Sequence, residues 1–244
     1  MAISAAKLAG RYLSNCKAVD VDSQEGRDIK LSVDRESERL IIDCLSSSGF
    51  PILAEESGAH GRVLDGKTWI IDPLDGTANY WRGITDLSCV SIALWDSNKP
   101  IFGVIYRFAT DDLYYGIIGQ GAYKNGININ TSSKKQLSDA YLATGFPVHS
   151  NYSETSLKKR VNHFKKFKKI RMLGSAALMG AFVANGLFDI YEEEGIMMWD
   201  IASSAAIVLS AGGCMDLEVH DDYTCDCYLF ANSVLRDAYH GTLL

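Results

Sequence analysis

The stretch from Trp69 to Tyr80 constrains this chain most, because an Ile-rich apolar run ends there in two aspartates on either side of a proline. Pro73 fixes its own φ and pushes the preceding Asp72 toward an extended conformation. We therefore predict a strand that leaves through a stiff turn and not through a helix. In such a turn Asp72 and Asp75 can face the same point in space.

The residues after the second aspartate favour an anion-binding turn. Gly76 lets a ligand approach the backbone closely, and the amides of Gly76 and Thr77 would offer donors to a phosphate if they open a helix. Hard oxygen ligands beside such a turn suggest Mg²⁺ and a phosphate ester. A capped turn with two surface aspartates would explain an isolated D-x-x-D, but the order of strand, D-P-x-D-G-T and aromatic residue is much more specific.

Length and composition predict one compact α/β unit, because 244 residues at 47% hydrophobic content can bury a large core. The formal charge of −6 argues against general affinity for nucleic acid. We expect a cytoplasmic protein that does not bind membranes, since no stretch resembles a signal peptide or approaches roughly 18 consecutive apolar residues. The six cysteines and five histidines lack the spacing of a zinc site.

Further carboxylates occur at the ends of predicted elements. A short strand at Phe50–Leu53 runs into Glu55, and a neighbouring strand would bring this side chain toward the aspartates after Ile71. Asp34 and Asp200 each stand where a predicted helix begins, at residues 35–45 and 201–211. Both are compatible with plain helix capping, in which an acidic side chain is favoured by the helix dipole.

The other elements follow from periodicity and turn residues. We predict an N-terminal amphipathic helix, an antiparallel meander in the middle of the chain, and a small-residue helix that ends in Asn-Gly. Residues 26–34 are polar and are expected to form a turn. The predicted ranges are 3–16 and 174–186 for helices, and 88–95, 101–108, 113–118, 141–146 and 187–191 for strands.

The stretch Lys158–Arg171 carries eight of the 24 basic residues. Val161, Phe164, Phe167 and Ile170 are spaced three apart, which predicts one helix with an apolar stripe and a solvated basic face. A nucleic-acid or membrane surface is the alternative. In either case, the positive charge of this stretch would attract anionic substrates.

Four motifs, in order along the chain, resemble the signature set of the inositol monophosphatase family of Mg²⁺-dependent, lithium-sensitive phosphatases. The resemblance implies a layered αβαβα sandwich of the α/β (α+β) class that hydrolyses small phosphate monoesters as a homodimer. It further implies a single domain over residues 1–244, with two αβ halves that meet near 125–140. The motifs are Ala54-Glu55-Glu56-Ser57, Asp72 to Tyr80, Gly174-Ser175-Ala176-Ala177, and Trp199-Asp200-Ile201-Ala202 with Ala211-Gly212-Gly213.

The same resemblance implies two to three Mg²⁺ ions in each site. The first would be held by Glu55, Asp72 and the backbone carbonyl of Leu74, and the second by Asp72, Asp75 and Asp200. A third, weaker ion would lie near Glu55 and Asp72.

Catalytic and substrate-binding roles also follow from the resemblance. Asp34 and the hydroxyl of Thr77 would orient the hydrolytic water, a role that replaces the capping interpretation of Asp34, and Glu55 would support catalysis as a metal ligand. Lys30 matches a basic residue that the family has in the same loop as Asp34. The amides of Gly76 and Thr77 would bind phosphate, and the alcohol portion would contact Gly174, Ser175, Ala176 and Glu193.

Two departures from the family pattern concern supporting positions. Ala54 stands where the family often has glycine, and Ser203-Ser204 replace an Ala-Gly pair. These changes leave the metal ligands intact but bear on substrate geometry. Inositol 1-phosphate or a related polyol phosphate is the expected substrate, with Glu193 accepting hydrogen bonds from hydroxyls or, alternatively, lying in a solvated acidic run.

Other substrates and one other role remain open. Within the superfamily, the alternatives are fructose 1,6-bisphosphate, another sugar phosphate, histidinol phosphate and 3′-phosphoadenosine 5′-phosphate. The loop after Thr77 lacks the Lys-Glu-Phe type continuation of the nucleotide-specific subgroup. A catalytically silent binding protein is the remaining alternative, and the complete acidic set argues against it.

Overall fold

The computed structural model describes residues 1–16, 21–25, 28–147 and 150–241, with backbone alone for 23–25 and 28–29. Within these residues the helices are α1 (Ala2–Asn15), α2 (Ser32–Leu45), α3 (Thr77–Trp81), α4 (Glu154–Phe164), α5 (Ala176–Ala184), α6 (Met198–Ser210) and α7 (Ser233–Gly241). The strands of the first half are β1 (Val21–Glu25), β2 (Asp28–Leu31), β3 (Ile52–Ala54), β4 (Gly58–His60), β5 (Lys67–Asp75), β6 (Cys89–Asp96), β7 (Lys99–Arg107) and β8 (Asp112–Ile117). Those that follow are β9 (Gly121–Lys124), β10 (Ile127–Ile129), β11 (Tyr141–Thr144), β12 (Lys169–Arg171), β13 (Ile190–Met197), β14 (Cys214–Val219) and β15 (Thr224–Phe230).

The larger sheet has eight strands in the order β10-β9-β8-β7-β6-β5-β3-β4. Strands β5 to β10 form an antiparallel meander, which confirms the predicted one. β3 lies beside β5 as expected, with Ile52 opposite Trp69, but the two strands are parallel. β3 and β5 are therefore not joined by a hairpin, because β4 first turns back as an edge strand.

The smaller sheet has five strands in the order β12-β11-β13-β15-β14. β11 runs parallel to β12 and to β13, whereas β15 is antiparallel to both of its neighbours. Thr144, the last residue of β11, pairs with Glu192. Gly145 follows the last residue of β11, and Glu193 follows Glu192 in β13. The two residues are therefore neighbours at the carboxyl end of β11.

The helices and sheets form the αβαβα layers predicted from the sequence. α1 and α2 cover the outer face of the larger sheet, where Leu13 and Ile41 share a core with Ile71. α5 and α6 fill the space between the two sheets, and α7 covers the far face of the smaller sheet through Leu235 and Tyr239. No helix in the described ranges is long and apolar enough to cross a membrane.

Small residues allow α6 to lie very close to its neighbours. A Cβ on Gly103 of β7 would come within 2.2 Å of the Ser203 carbonyl oxygen, and one on Gly180 within 2.4 Å of the Ser204 Cβ. The two serines that depart from the family pattern are buried and satisfied, since Ser203 bonds to the Ser91 hydroxyl and Ser204 donates to the Ile201 carbonyl.

The predicted helix over residues 158–171 is wrong in its extent. α4 ends at Phe164, and Lys169–Arg171 forms β12. Phe167 is buried against the α7 side of the smaller sheet, while Val161 of the expected apolar stripe is 54% exposed. Burial of Phe167 and strand pairing thus outweigh the helical spacing of the apolar residues.

Two further expectations need correction. Residues 28–31 of the predicted turn form β2, and the helix begins at Ser32, three residues earlier than predicted. Gly26 and Arg27 lie outside the described residues. The strand predicted at 187–191 is β13, which extends through the acidic run to Met197 because it pairs with β15.

Candidate metal centre

Three aspartates form the centre of the site. One carboxylate oxygen each from Asp72, Asp75 and Asp200 can be chosen so that all three atoms lie within 4.8 Å of one another. Asp72 and Asp75 are the last acidic residues of β5, and Asp200 lies in the first turn of α6. The layered packing of α6 against β5 brings the third carboxylate to the other two.

A bulge in β5 lets two of these aspartates face the same way. Residues three apart in a regular strand point to opposite faces. Here Asp72 pairs with Ser91 and Asp75 with Cys89, so β5 uses one residue more than β6 over this interval. Pro73 lies inside the bulge, where its missing N–H breaks no ladder bond.

Asp75 is held by the start of α5. The Ser175 hydroxyl and the Ala177 amide donate to its Oδ2, the latter at 3.0 Å, and the Ala176 amide donates to Oδ1 at 3.2 Å. Burial raises the pKa of Asp75 to about 6, against the lowering effect of these donors. The amides at a helix N-terminus are well suited to stabilise the ionised form.

The carboxylates of Glu55 and Asp72 interact with each other. Glu55 follows β3, and its amide donates to the Ile71 carbonyl at 3.3 Å, which fixes it beside β5. Burial raises the pKa of Asp72 well above its ordinary value, and the nearby carboxylate of Glu55 adds to the effect. Burial and the charge of Asp200 likewise raise the pKa of Glu55. Like charges at this density favour protonation unless a cation is bound.

Asp34 lies in the first turn of α2 and is 2% exposed. Its Oδ2 accepts the Leu31 amide at 2.8 Å, as a capping residue does, but its buried Oδ1 has no hydrogen-bond partner. Burial raises the pKa of Asp34 to about 7. The Thr77 hydroxyl donates to the Leu74 carbonyl at 2.9 Å, so in this structure it contacts another predicted site residue and not Asp34.

Lys30 lies at the edge of this group. Its Nζ is 3.2 Å from Oε2 of Glu56, the carboxylate next to Glu55. The Glu56 amide in turn donates to Glu38 at 2.8 Å. Lys30 therefore neutralises an acidic residue beside the centre.

Gly76 begins α3 with a φ of 84°, a left-handed conformation that favours glycine. A Cβ there would come within 2.7 Å of the Leu87 carbonyl oxygen. The side-chain amide of Asn79 donates to the carbonyls of Leu87 and Leu173, at 2.9 and 2.7 Å. Sequence reasoning did not assign Asn79 this role, in which it holds the loop before Gly174 against the loop after α3.

Tyr80 points away from the centre. It is buried, and its hydroxyl donates to the Leu13 carbonyl at 2.8 Å. Tyr80 therefore joins α3 to α1.

Glu193 is 5% exposed and lies next to Gly145, where a Cβ would come within 2.6 Å of Oε1. Burial raises the pKa of Glu193 to about 8, Asp200 and Asp75 add to the effect, and Arg160 opposes it. The charges of Asp200 and Asp75 therefore act on the Glu193 carboxylate. Gly145 and Arg160 were not predicted as site residues, since glycine and arginine at these positions carry no local signal.

The donor set fits a hard divalent cation. It consists of carboxylate and carbonyl oxygens, the ligands that Mg²⁺ prefers. The unpartnered Oδ1 of Asp34 adds a buried acceptor beside this set, and a buried acceptor without a partner is costly unless a ligand or water satisfies it.

Comparison with known proteins decides the family. Residues 1–228 match the inositol monophosphatase family. The chain belongs to this family. Membership makes it an enzyme of the phosphatase class.

Relatives in this family carry two kinds of name. Inositol monophosphatase 2 of Solanum lycopersicum is 35% identical over 258 residues, covering 100% of this chain and 96% of that protein. The Nus factor SuhB of Xylella fastidiosa is 35% identical over 233 residues, covering 92% of this chain and 80% of that protein. The crystal structure of the extragenic suppressor protein suhB of Bartonella henselae superposes with a TM-score of 0.87 at 32% identity, covering 99% and 96% of the two chains.

Proposed function

We propose that this family member hydrolyses the phosphate monoester of a small polyol or sugar in a reaction that depends on Mg²⁺. Inositol 1-phosphate is the first candidate substrate. The observation that carries the proposal is the convergence of Asp72, Asp75 and Asp200, with carboxylate oxygens within 4.8 Å. Asp72 and Asp75 are buried, and a bound cation would offset the cost of holding several carboxylates this close together.

The proposed ligands are those implied by the family pattern. Glu55, Asp72 and the Leu74 carbonyl would hold one ion, and Asp72, Asp75 and Asp200 a second. Bound Mg²⁺ would supply positive charge to the phosphate oxygens and lower the pKa of the attacking water.

The remaining residues would bind and orient the reactants. Asp34 offers a buried Oδ1 that can accept a proton or hydrogen bond from water. The amides of Gly76 and Thr77 would donate to the phosphate. Glu193, beside Asp200, would accept hydrogen bonds from hydroxyls of the leaving alcohol.

We propose a second role for the segment Gly174 to Ala176, besides its contact with the alcohol. The Ser175 hydroxyl and the Ala176 amide are engaged by Asp75. Their contribution would then be to hold a metal ligand in place, in addition to bordering the alcohol.

Phosphate release from a panel of esters tests this function. The panel holds inositol 1-phosphate, fructose 1,6-bisphosphate, glucose and glycerol phosphates, histidinol phosphate and 3′-phosphoadenosine 5′-phosphate, each with Mg²⁺, with EDTA and with added Li⁺. We expect turnover that needs Mg²⁺, falls with Li⁺ and is abolished by Asp75→Asn. Asp65→Asn is the matched control, since Asp65 is 61% exposed and pairs with Arg62 at the surface.

Absence of turnover for every ester by folded, Mg²⁺-loaded protein would overturn the proposal. A binding role, in line with the Nus factor name of the Xylella fastidiosa relative, would then be the next hypothesis. A homodimer and a cytoplasmic location remain predictions, and light scattering of the purified protein measures the first.

A further inference from the structure

The side-chain amide of Asn79, in α3, binds three carbonyl groups from two distant loops. Its Nδ2 donates to the Leu87 carbonyl at 2.9 Å, to the Leu173 carbonyl at 2.7 Å and to the Gly174 carbonyl at 3.2 Å. Leu87 belongs to the loop between α3 and β6, whereas Leu173 and Gly174 precede α5. An amide nitrogen has two N–H groups, so two of the carbonyls share one of them.

Two of these carbonyls lie close to the turn at Gly76. A Cβ on Gly76 would come within 2.7 Å of the Leu87 oxygen and within 3.3 Å of the Gly174 oxygen. Carbonyl oxygens carry partial negative charge, so they repel one another unless donors satisfy them. The amide of Asn79 supplies donors to both and allows the two loops to approach the same turn.

The loop before α5 leads directly into the groups that bind Asp75. The hydroxyl of Ser175 and the two backbone amides that follow it donate to the Asp75 carboxylate. Gly174, just before them, has a φ of 71°, and a Cβ there would come within 3.2 Å of the Asn79 Nδ2. Asn79 therefore lies directly against the segment that begins α5.

Asn79 and Asp75 belong to one continuous segment, because α3 follows β5 through the single residue Gly76. All residues of α5 are buried, and apolar burial is not directional. Hydrogen bonds have a defined geometry and can fix where such a helix begins. The bonds from Asn79 to the start of α5 therefore fix the α5 donors relative to the Asp75 carboxylate.

We propose that Asn79 is a positioning residue, which orients the Asp75 carboxylate for a bound Mg²⁺ ion by holding the start of α5 against α3. It acts on the carboxylate through Gly174 and Ser175. Groups that orient metal ligands in this way contribute roughly tenfold to a hundredfold to metal affinity. This inference rests on the proposed function, in which Asp75 is a metal ligand.

Hydrogen exchange tests the positioning without metal or turnover. Asn79→Ala removes the three hydrogen bonds to the loops, and NMR of EDTA-treated protein would follow the backbone amides of Ala176 and Ala177. We expect both amides to exchange about tenfold faster than in the natural protein, because their bonds to Asp75 open more often.

Asn232→Ala is the matched control. The Asn232 side-chain amide also binds a distant loop, through the carbonyls of Ser132 and Lys134 at 3.2 and 2.8 Å. Asn232 follows β15 beside the start of β13, whereas Asp200 follows the other end of β13. Asn232→Ala should lower the urea midpoint of unfolding, as Asn79→Ala does, and leave the exchange of the first α5 amides unchanged.

Calorimetric titration with Mg²⁺ alone measures the consequence for the metal. We expect the Kd for Mg²⁺ to rise about tenfold in Asn79→Ala and to stay within about twofold in Asn232→Ala. The Mg²⁺ concentration that gives half the maximal rate of ester hydrolysis should shift in the same way. Asn79→Ser keeps one hydroxyl donor and should give a smaller shift, and it serves for the same comparison if Asn79→Ala does not fold.

Different results overturn the two proposals. The positioning role is refuted if either the exchange of the first α5 amides or the Kd for Mg²⁺ is the same in the Asn79 and Asn232 variants. Equal changes in both variants would reflect a general loss of stability. If the natural protein neither binds Mg²⁺ nor turns over any ester, the proposed function fails, and the exchange comparison still decides whether Asn79 holds α5 against Asp75.

Discussion

The hydroxyl of Ser175 donates a hydrogen bond to the carboxylate of Asp75, which lies a hundred residues earlier in the chain. Ser175 also accepts the Leu178 amide at 3.3 Å and so caps α5. One side chain thereby begins a helix of the second half and positions a proposed metal ligand of the first. The geometry of the site depends on how α5 packs against the larger sheet.

Replacing Ser175 with alanine should affect both stability and metal response. We expect the free energy of unfolding to fall by about 1 to 2 kcal/mol, because a helix cap and a buried hydrogen bond are lost. We also expect Mg²⁺ to stabilise the variant less, since Asp75 is less well oriented. Urea unfolding with EDTA and with Mg²⁺ measures both effects.

Ser153→Ala is the matched control for this substitution. Ser153 caps α4 by accepting the Ser156 amide at 3.3 Å, far from the aspartates. It should lose cap stability and keep the full response to Mg²⁺. An unchanged Mg²⁺ response in Ser175→Ala would show that the contact with Asp75 does not serve the metal.

Asp34→Asn should separate folding from turnover. The asparagine oxygen can still accept the Leu31 amide, and a neutral side chain removes the cost of burying a charge. We expect the protein to fold and kcat to fall by about a hundredfold or more, with KM within a few-fold, since a proton acceptor is lost. Steady-state kinetics with the best ester of the panel would show this.

Asp43→Asn provides the comparison on the same helix, because Asp43 is 61% exposed and pairs with Arg39. Its kinetics should match those of the natural protein. A kcat for Asp34→Asn close to the natural value would exclude Asp34 from catalysis.

Gly145→Ala should displace the Glu193 carboxylate, since the new Cβ would lie 2.6 Å from Oε1. The end of a glutamate side chain can move, so we expect a stability loss of no more than about 1 kcal/mol. We expect kcat/KM for polyol esters to fall by about tenfold because Glu193 no longer meets the alcohol. Gly241→Ala has open space around the added methyl group and should change neither quantity, and equal kinetics of both variants would contradict the role of Glu193.

Protein stripped of divalent metal should lose stability as the pH rises. Burial raises the pKa of Asp34 to about 7, of Asp75 to about 6 and of Glu193 to about 8. Between pH 4 and 8 the folded chain therefore holds protons that the unfolded chain has released, and the free energy of unfolding falls with increasing pH. From pH 5.5 to 8 we expect a loss of up to about 6 kcal/mol, since each group contributes roughly 1.4 kcal/mol per pH unit until its folded-state pKa is reached.

Urea unfolding in EDTA at the two pH values measures this loss. Addition of Mg²⁺ at pH 8 should restore most of it, because the cation favours the ionised carboxylates. A free energy of unfolding that stays constant or rises over this range would show that these carboxylates are already ionised in the metal-free protein.

The sequence by itself was enough to recognise the family and to predict the residues of the candidate site. Pro73 and Gly76 restrict their own backbone dihedrals, and apolar periodicity marks the meander and α1, α5 and α6, so these features could be predicted without a structure. The family motifs further supplied the layered fold, and the layers were confirmed.

The tertiary structure alone decided how distant residues meet. The contact of Ser175 with Asp75, the bond of the Thr77 hydroxyl to the Leu74 carbonyl, and the end of α4 at Phe164 depend on packing and strand register. The same holds for the contacts of Asn79 with the carbonyls of Leu87 and Leu173. Sequence patterns report which dihedrals and faces a segment prefers, whereas these contacts arise only when whole sheets and helices bury their apolar surfaces against one another.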